Sequence, residues 1–330
     1  MKILITGASG FIGSFMVEEA LNRGFETFAG IRATSSKKYL QDERIQFADL
    51  DFTDTTVLAK QLRALGRFDY IIHNAGVTKC QNKGDFDRVN FGYTRNFVDA
   101  LMQADLMPSK FLYMSSLSAF GSGCEETFKP IMLADTPKPN TAYGASKLKA
   151  ERYIQSLNNV PYLFLRPTGV YGPRETDYFV FNKTVNRGIE PSMGLDTQYL
   201  TFIYIKDLVR VAFDALASNI VRKAYFVAEG RVYTNEEYAT IVKNILGKKR
   251  VLKLRTPLFL VKFISAFLET VCGWFGKTPT LNRDKYNILS AKNWKCEVEP
   301  LERDFDFQAE YDLERGMTEA IEWYKKEKWL

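Results

Sequence analysis

The chain has 330 residues, of which 46% are hydrophobic, and this is enough for one large domain or two unequal ones. Its 45 basic and 39 acidic residues give a net charge of +6 spread along the chain, which fits a phosphate-bearing small molecule and does not indicate nucleic acid. One histidine and four widely spaced cysteines argue against a zinc site and a disulfide framework, so we expect no metal and a reducing compartment.

The first predicted strand, KILIT, runs into the glycine-rich sequence TGASGFIG. The apolar run ends at Gly7 and lacks the cleavage site of a signal peptide, so we expect a cytoplasmic protein. Three glycines stand between this strand and the helix that SFMVEEALNRG predicts. There they allow a tight turn and bring the helix N-terminus close to a pyrophosphate. The cofactor residues predicted in this turn are Gly7, Ser9, Gly10, Phe11, Ile12 and Gly13.

The second strand, FETFAGI, indicates which nucleotide binds. Arg32 follows it, where NAD-selective sites place a carboxylate, and an arginine fork suits the 2′-phosphate of NADP. We therefore predict NADP in preference to NAD; the alternative is that Arg32 stacks on the adenine or is solvated. Asp49 and Leu50, which end the third strand, IQFADL, are candidates to frame the adenine. The residues predicted along the ribose and pyrophosphate, after the fourth strand, are Asn74, Ala75 and Gly76.

The alternation of strands and helices continues through the first half of the chain. The strands FDYIIHNAG, KFLYMSS and YLFLRP alternate with the helices TTVLAKQLRAL, TRNFVDALMQA and SKLKAERYIQSL. Such alternation predicts right-handed crossovers and a parallel sheet covered on both faces. The predicted fold class is α/β, a doubly wound parallel sheet (Rossmann fold) with a smaller, partly helical C-terminal substrate region. His73 ends an apolar strand, so we interpret it as a hydrogen-bonded core histidine rather than a catalyst.

The sequence TAYGASKLKAE places Tyr143 and Lys147 four residues apart. In a helix these positions share one face, so the ammonium group can lie near the phenol or share a ligand with it. Spacing alone leaves two interpretations open, a catalytic pair or two side chains on a solvated face.

After Gly172 the alternation loosens. We predict an NAD(P)-binding domain over 1–172 and a substrate-binding region over 173–330, with about 200–228 returning to the first domain. The longest apolar stretch, 257–276, is interrupted by Lys262 and Glu269. It predicts a helix buried against its own domain rather than a membrane span, with a membrane-surface or partner-binding helix as the alternative.

Several motifs, in their order along the chain, resemble those of the extended short-chain dehydrogenase/reductase family, also described as the NAD-dependent epimerase/dehydratase family. They are TGASGFIG, VNFGYTRNFVDA, SSLSAFG, YGASK, RPTGVYGPR and TFIYIKDLVRVAFDAL, so the resemblance spans nearly the whole chain. It implies that Tyr143 transfers a proton while the nicotinamide transfers a hydride. It also implies that Lys147 lowers the phenol pKa and binds the nicotinamide ribose, and that Ser116 hydrogen-bonds the reacting carbonyl or hydroxyl group.

The resemblance implies further contacts and an assembly. Asn90 matches a helix asparagine that helps to order the site, and the family suggests a homodimer. The other cofactor residues that it implies are Asn90, Ser115, Tyr143, Lys147, Pro167 and Val170. The substrate residues that we predict are Thr78, Ser118, Tyr171 and Arg174.

Departures from the family pattern bear on the reaction. Leu117 and Ser118 stand where the family's sugar-nucleotide dehydratases carry an Asp-Glu pair, and Leu200 stands where sugar-nucleotide enzymes tend to carry an arginine. SSLSAFG, HNAG and the aromatic segment 258–275 look more like the branch of dihydroflavonol-reductase-like and 3β-hydroxysteroid-dehydrogenase-like proteins. We therefore predict an NADP-preferring oxidoreductase that interconverts an apolar secondary alcohol and ketone. The alternatives are a nucleotide-sugar 4-epimerase with retained NAD and a non-catalytic NADP-sensing protein.

Overall fold

A computed structural model of the protein describes residues 1–274 and 282–330. The strands are β1 (Lys2–Thr6), β2 (Glu26–Ile31), β3 (Gln46–Asp49), β4 (Tyr70–His73), β5 (Lys110–Met114), β6 (Tyr162–Pro167), β7 (Gly169–Tyr171), β8 (Ile189–Met193), β9 (Tyr199–Tyr204), β10 (Lys223–Val227), β11 (Val232–Thr234) and β12 (Leu252–Thr256). The helices are α1 (Phe11–Asn22), α2 (Thr55–Leu65), α3 (Lys83–Phe86), α4 (Tyr93–Ala104), α5 (Ala142–Ser156), α6 (Asp177–Asn186), α7 (Ile205–Ala217), α8 (Asn235–Ile245), α9 (Leu258–Trp274), α10 (Arg283–Ser290), α11 (Glu299–Phe305) and α12 (Leu313–Lys326). A π-helical turn, Asp87–Gly92, connects α3 to α4.

In the described part of the chain, the largest sheet has seven strands in the order β10-β6-β5-β4-β1-β2-β3. The pairings that join β6 to β3 through this order are parallel. Because β1 lies between β2 and β4, the strand order runs outward from β1 in both directions, and this confirms the doubly wound α/β fold. Thr6 at the end of β1 pairs with His73 at the end of β4. The turns that follow these two strands therefore meet at the sheet edge where such folds bind ligands.

The central strands are apolar on both faces, as a parallel sheet between two helical layers requires. Every residue of β5 and of β6 is buried. Leu4 of β1, Phe97 of α4, Phe111 of β5 and Phe164 of β6 belong to one buried hydrophobic cluster. This core fixes the strand ends rigidly, so the loops after the strands can hold functional side chains in place.

The described chain divides into two compact units, each built from three segments. The first unit comprises Met1–Ala119, Ala142–Arg166 and Val209–Tyr225. The second comprises Phe120–Thr141, Pro167–Leu208 and Phe226–Leu330. Its strands form a sheet in the order β11-β9-β7 and a β12-β8 pair.

Helix α9 is the helix predicted over 257–276; the last two of those positions lie outside the described residues. Val261 and Ser265 on one side of α9 are buried, but Phe259 and Phe263 are exposed. The prediction that the aromatic side of this helix is buried against its own domain is therefore wrong. Among the described helices, none combines the length and the apolar content that a membrane crossing requires.

Candidate active site

The glycine turn after β1 packs closely against the end of β4. Gly7 has a φ of +67°, and a Cβ atom there would lie 2.7 Å from the carbonyl oxygen of Asn74. A Cβ atom on Gly13 would lie 2.1 Å from the carbonyl oxygen of Gly7. Gly10 caps α1 without a side-chain hydrogen bond, so the helix N-terminus is lined by backbone. This turn, which a Cβ atom at Gly7 or Gly13 would distort, forms a cradle that fits the pyrophosphate of a dinucleotide. The other predicted residues of the turn, all partly exposed, are Ser9, Phe11 and Ile12.

The residues predicted to contact the adenosine end of the cofactor lie together at one edge of the sheet. Ile31 pairs with Asp49 in the β2-β3 register, and the Leu50 N–H donates to the Ile31 carbonyl at 3.4 Å. Arg32 follows β2 in a turn in which the Ser35 N–H donates to its carbonyl at 2.8 Å and its own N–H donates to Ser35 Oγ at 3.1 Å. Arg32 and Asp49 are exposed, whereas Leu50 is buried. A cation is thus available on the surface directly after β2.

The backbone that follows β4 joins the glycine cradle to Lys147. The Ala75 N–H donates to Thr6 Oγ1 at 3.2 Å, at the end of β1. A Cβ atom on Gly76 would lie 2.9 Å from Asn90 Oδ1 and 3.4 Å from Lys147 Nζ. The glycine therefore lets the main chain run against both side chains, a close approach that HNAG alone does not reveal.

His73 is a core residue, as predicted. Its Nδ1 lies 2.8 Å from Thr6 Oγ1 and its Nε2 lies 3.0 Å from Thr94 Oγ1. The imidazole is fully buried. Burial, with a smaller contribution from the charge of Lys147, lowers the pKa of His73 to about 3, so the ring is neutral at physiological pH.

Ser116 and Tyr143 come together although 26 residues separate them in the chain. Ser116 lies just after β5, where its Oγ accepts a hydrogen bond from the Ser118 N–H at 3.2 Å. Tyr143 lies in the first turn of α5. Burial raises the pKa of Tyr143 to about 12, and a hydrogen bond with Ser116 partly opposes that rise. The phenol is therefore protonated at neutral pH and is held beside a second hydroxyl group.

Lys147 lies one helical turn after Tyr143 and is buried, with 5% of its surface exposed. Its Nζ donates to the Met114 carbonyl at 2.8 Å and lies 4.8 Å from the centre of the Tyr113 ring. Burial lowers the pKa of Lys147 to about 8, and the nearby Glu151 carboxylate opposes that change. The ammonium group thus lies at the end of β5 rather than on a solvated helix face.

Asn90, in the π-helical turn, ties the loop after β4 to α5. Its Oδ1 accepts from the Val77 N–H at 2.8 Å, and its Nδ2 donates to the Val77 carbonyl and to Ser146 Oγ, both at 3.0 Å. Ser146 Oγ in turn donates to the Tyr143 carbonyl at 2.7 Å. These bonds fix the helix turn that bears Tyr143 and Lys147.

Ser115 contributes a buried hydroxyl group next to Ser116. Its side chain is 3% exposed, and its Oγ has no hydrogen-bond partner among the described residues. A buried hydroxyl without a partner costs about 1–3 kcal/mol. A cofactor or substrate atom at the end of β5 would satisfy it, which fits the predicted role of Ser115.

A buried ion pair beneath the site is a feature that the sequence reasoning missed. Arg166 Nε and Nη2 donate to Glu151 Oε1 and Oε2 at 2.9 and 2.7 Å, and Arg166 and Glu151 are 5% and 1% exposed. Glu151 lies one turn after Lys147 on α5, and its charge raises the pKa of that lysine. The arginine at the end of the otherwise apolar strand YLFLRP is the feature of the sequence that could have indicated a buried ion pair.

The predicted substrate residues belong to both units. Thr78 and Ser118 are in the first unit, where Thr78 is exposed and Ser118 is partly buried. Tyr171 and Arg174 are in the second unit. There the Tyr171 hydroxyl is buried and donates to the Asp312 carbonyl at 3.0 Å, while Arg174 adopts a φ of +74°. The remaining predicted cofactor residues of the second unit are Pro167 and Val170.

Within the described residues, no group of three or more His, Cys, Asp or Glu side chains could hold a metal ion. The groups that the site offers for chemistry are the glycine cradle, the two hydroxyl groups and the lysine.

Comparison with known proteins agrees with this geometry. The chain is 24% identical to the 3 beta-hydroxysteroid dehydrogenase/Delta 5→4-isomerase of Mycobacterium tuberculosis (strain CDC 1551 / Oshkosh), over 98% of this chain and 90% of that protein. It is 25% identical to UDP-glucuronate 4-epimerase 2 of Arabidopsis thaliana, over 98% and 76%. The crystal structure of UDP-glucuronic acid 4-epimerase from Bacillus cereus in complex with NAD is similar with a TM-score of 0.77 and 20% identity, over 99% of each chain. A model of the NAD dependent epimerase/dehydratase family matches residues 3–233, which include the glycine cradle and Tyr143, and the chain belongs to that family.

Proposed function

We propose that the protein is an NAD(P)-dependent oxidoreductase that interconverts a secondary alcohol and a ketone. The observation that carries this proposal is that Tyr143 and Ser116 come together, near enough for Ser116 to lower the pKa of the phenol, with Lys147 buried one helical turn away. Two adjacent hydroxyl groups can bind one carbonyl oxygen and transfer a proton to it, which reversible ketone reduction requires.

The residues of the chain supply the proton and the orientation. The nicotinamide, when bound, supplies or accepts the hydride. In the reducing direction Ser116 donates a hydrogen bond to the substrate carbonyl oxygen, and Tyr143, which retains its proton at neutral pH, donates it to the same oxygen. In the oxidising direction the phenolate of Tyr143 accepts the proton of the substrate hydroxyl group. Burial, which raises the pKa of Tyr143, outweighs the lowering by Lys147 that the family resemblance implies.

One observation favours oxidation or reduction over dehydration, and a second favours an apolar substrate. Leu117, which is 3% exposed, and Ser118 place no carboxyl group beside Ser116, so the acid and base that water elimination needs are absent from these positions. The similarity to a 3 beta-hydroxysteroid dehydrogenase over 98% of the chain supports an apolar ring alcohol or ketone as the substrate.

We propose that the cofactor is NADP in preference to NAD, although the family is NAD-dependent by name. Arg32 is exposed directly after β2, and the reciprocal bonds with Ser35 fix its backbone. We expect Arg32→Asp to lower the ratio of kcat/KM for NADPH to that for NADH by at least about tenfold, because a charge-assisted pair with the 2′-phosphate is lost. Lys60→Asp, the same charge change on the exposed face of α2, is the matched control. A ratio that Arg32→Asp leaves unchanged would contradict the assignment.

Cofactor content distinguishes the leading proposal from its alternative. We would purify the protein without added nucleotide, denature it and identify any released nucleotide by chromatography. A site that is empty, and that then binds NADPH more tightly than NADH, supports an exchanging reductase. One equivalent of retained NAD would instead support a nucleotide-sugar 4-epimerase, the candidate that the similarity to UDP-glucuronate 4-epimerase 2 favours.

Removing the phenol hydroxyl tests catalysis itself. We expect Tyr143→Phe to lower kcat for the NADPH-dependent reduction of apolar ketones by about 10²- to 10⁴-fold, because positioned acid–base groups contribute that much. The dissociation constant for NADPH should change little, and Tyr93→Phe, an equivalent change on α4, should leave kcat unaffected. Full activity in Tyr143→Phe would refute the mechanism and favour a non-catalytic NADP-sensing protein.

We also propose a homodimer that acts in the cytoplasm on a small molecule. Resemblance to the extended short-chain dehydrogenase/reductase family supports this assembly, and the cysteines at 80, 124, 272 and 296, which form no disulfide with any described residue, suit a reducing compartment. Sedimentation velocity of the purified chain would test the dimer, since a concentration-independent monomer would exclude it.

A further inference from the structure

One face of α9, a helix of the second unit, is apolar and exposed. Phe259, Phe263 and Phe267 are 76%, 69% and 57% exposed, and Leu260 and Ile264 beside them are 41% and 36% exposed. We refer to these five residues as the α9 face. On the opposite side of the helix, Val261 and Ser265 are 3% and 0% exposed.

The α9 face reverses the usual pattern of a surface helix. Phe259, Phe263 and Phe267 are spaced by four residues, so they form one stripe along the helix. A helix that packs on its own domain normally turns such a stripe inward and its polar residues outward. A contiguous group of exposed large apolar side chains indicates a surface that contacts something outside the chain.

Strand β12, which precedes α9 in the chain, also has exposed apolar side chains. Leu252 and Leu254 are 67% and 53% exposed, and they alternate with Lys253 and Arg255 on the other side of the strand. The Thr256 carbonyl accepts from the Gly194 N–H at 2.9 Å, which holds the end of β12 just before α9 begins. The strand and the helix therefore follow each other directly in the chain, and each has exposed apolar residues.

The same segment concentrates positive charge. From 248 to 262 the sequence has six basic residues and no acidic one. The rest of the chain then carries 39 basic residues (45 less 6) against 39 acidic ones, so this segment accounts for the whole net charge of +6. Arg255 and Lys253 lie 3.3 and 4.0 Å from carboxylate oxygens of Glu236 and Glu190. The basic residues that make no ion pair with any described residue are Lys248, Lys249, Arg250 and Lys262.

We propose that the α9 face and the basic residues of 248–262 form a docking site for the surface of a membrane that contains anionic phospholipids. Exposed phenylalanines can enter the boundary between headgroups and acyl chains, and lysines and arginines beside them contact the headgroup phosphates. The basic residues select an anionic surface over a neutral one. The helix lies along the interface, with the α9 face toward the acyl chains. This inference does not depend on the reaction that the active site performs.

Vesicle flotation with the full-length protein tests the proposal. The probes are vesicles of phosphatidylcholine mixed with phosphatidylglycerol, and vesicles of phosphatidylcholine alone. We expect the protein to float with the anionic vesicles, to bind the neutral ones more weakly, and to release with rising salt because the attraction is partly electrostatic.

Two paired variants separate the apolar contribution from the charge. Phe263→Gln with Phe267→Gln should weaken binding to anionic vesicles by at least about tenfold, since two large side chains no longer leave water. Lys249→Gln with Arg250→Gln should weaken it by about fivefold for each charge removed. All four side chains are exposed, so we expect the urea midpoint of unfolding to stay unchanged.

Matched controls remove equivalent groups elsewhere. Val57→Gln with Val180→Gln deletes two exposed apolar side chains on α2 and α6, and Lys325→Gln with Lys326→Gln deletes two exposed charges on α12. Both controls should bind vesicles like the unmodified protein. Failure to bind anionic vesicles would overturn the proposal. Binding that survives the Phe263 and Phe267 changes would also overturn it, because the protein would then adsorb to the vesicles by charge alone. A dimer that these changes convert to a monomer would overturn it too, because the α9 face would then be a contact between two copies of the chain.

Discussion

At the scale of single residues, the sequence predicts which side chains are candidates for catalysis but not their environments. Tyr143 and Lys147 follow from a four-residue spacing inside an ordered series of motifs. The pKa of Tyr143 depends on burial and on Ser116, which comes from a distant segment, and the pKa of Lys147 depends on burial and on Glu151, one turn further along α5. Spacing in the sequence identifies neighbours on the same helix, whereas the pKa of a buried group also depends on burial by the rest of the fold.

His73 offers a prediction at this scale, because it is the only histidine in the chain. Burial and the charge of Lys147 lower its pKa from 6.5 to about 3. We expect its imidazole proton signals in an NMR titration to stay constant between about pH 5 and pH 8, where an ordinary histidine titrates. A signal that titrates near 6.5 would show that the ring is solvated.

The lowered pKa of His73 makes the folded protein less stable as the pH falls below 6.5. Below pH 6.5 the unfolded chain binds a proton at His73 and the folded chain does not, until the pH approaches about 3. The free energy of unfolding should therefore fall with decreasing pH in this window, by up to about 1.4 kcal/mol per pH unit from this group alone. Urea unfolding at a series of pH values would measure it.

At the scale of elements, the strands of the first unit were predictable because each is an apolar run that ends near glycine or a polar turn residue. The orientation of α9 was not, since the period of 3.6 residues shows that one face is apolar but not whether that face turns inward. Phe259 and Phe263 have the spacing of buried residues and are exposed. Only the positions of β12 and the neighbouring elements decide which side of the helix packs.

The junction of α5 and β6 depends on the buried pair of Arg166 and Glu151. Arg166→Met should lower the free energy of unfolding by about 3–5 kcal/mol, because it leaves the Glu151 carboxylate buried without its partner. Replacing both residues, Glu151→Leu with Arg166→Met, should restore most of the lost free energy of unfolding. Lys149→Met, which removes an exposed pair with Asp87 at 2.8 Å, should cost less than about 1 kcal/mol. Equal losses for the buried and exposed changes in urea unfolding would refute this account.

At the scale of the whole molecule, the chain does not finish one unit before it begins the other. It passes between them after residues 119, 141, 166, 208 and 225. The strands β6 and β10 each contain one of these passages, at Arg166–Pro167 and at Tyr225–Phe226. The loosening of the pattern after Gly172 indicates a second region, but strand and helix periods cannot show that residues 120–141 belong to it, because membership of a unit depends on long-range contacts.

This interleaving predicts that the two units unfold together, since neither unit can be completed from one continuous stretch of chain. All four tryptophans, at 274, 294, 323 and 329, fall in segments of the second unit, whereas the glycine cradle is in the first. NADPH at about one hundred times its dissociation constant stabilises the state that binds it by about 2.7 kcal/mol. We therefore expect NADPH to raise the urea midpoint measured by tryptophan fluorescence as much as the midpoint measured by far-UV circular dichroism.

Gly13→Ala provides the control for that experiment, because a Cβ atom at this position would meet the Gly7 carbonyl oxygen at 2.1 Å and force the turn to shift. In this variant NADPH should shift neither midpoint, whereas Gly84→Ala, where a Cβ atom would meet nothing within 4 Å, should respond like the unmodified protein. If NADPH moves the circular dichroism transition and leaves the tryptophan transition in place, the units unfold independently. The passages through β6 and β10 would then be too weak to couple them, and cofactor binding would stabilise the first unit alone.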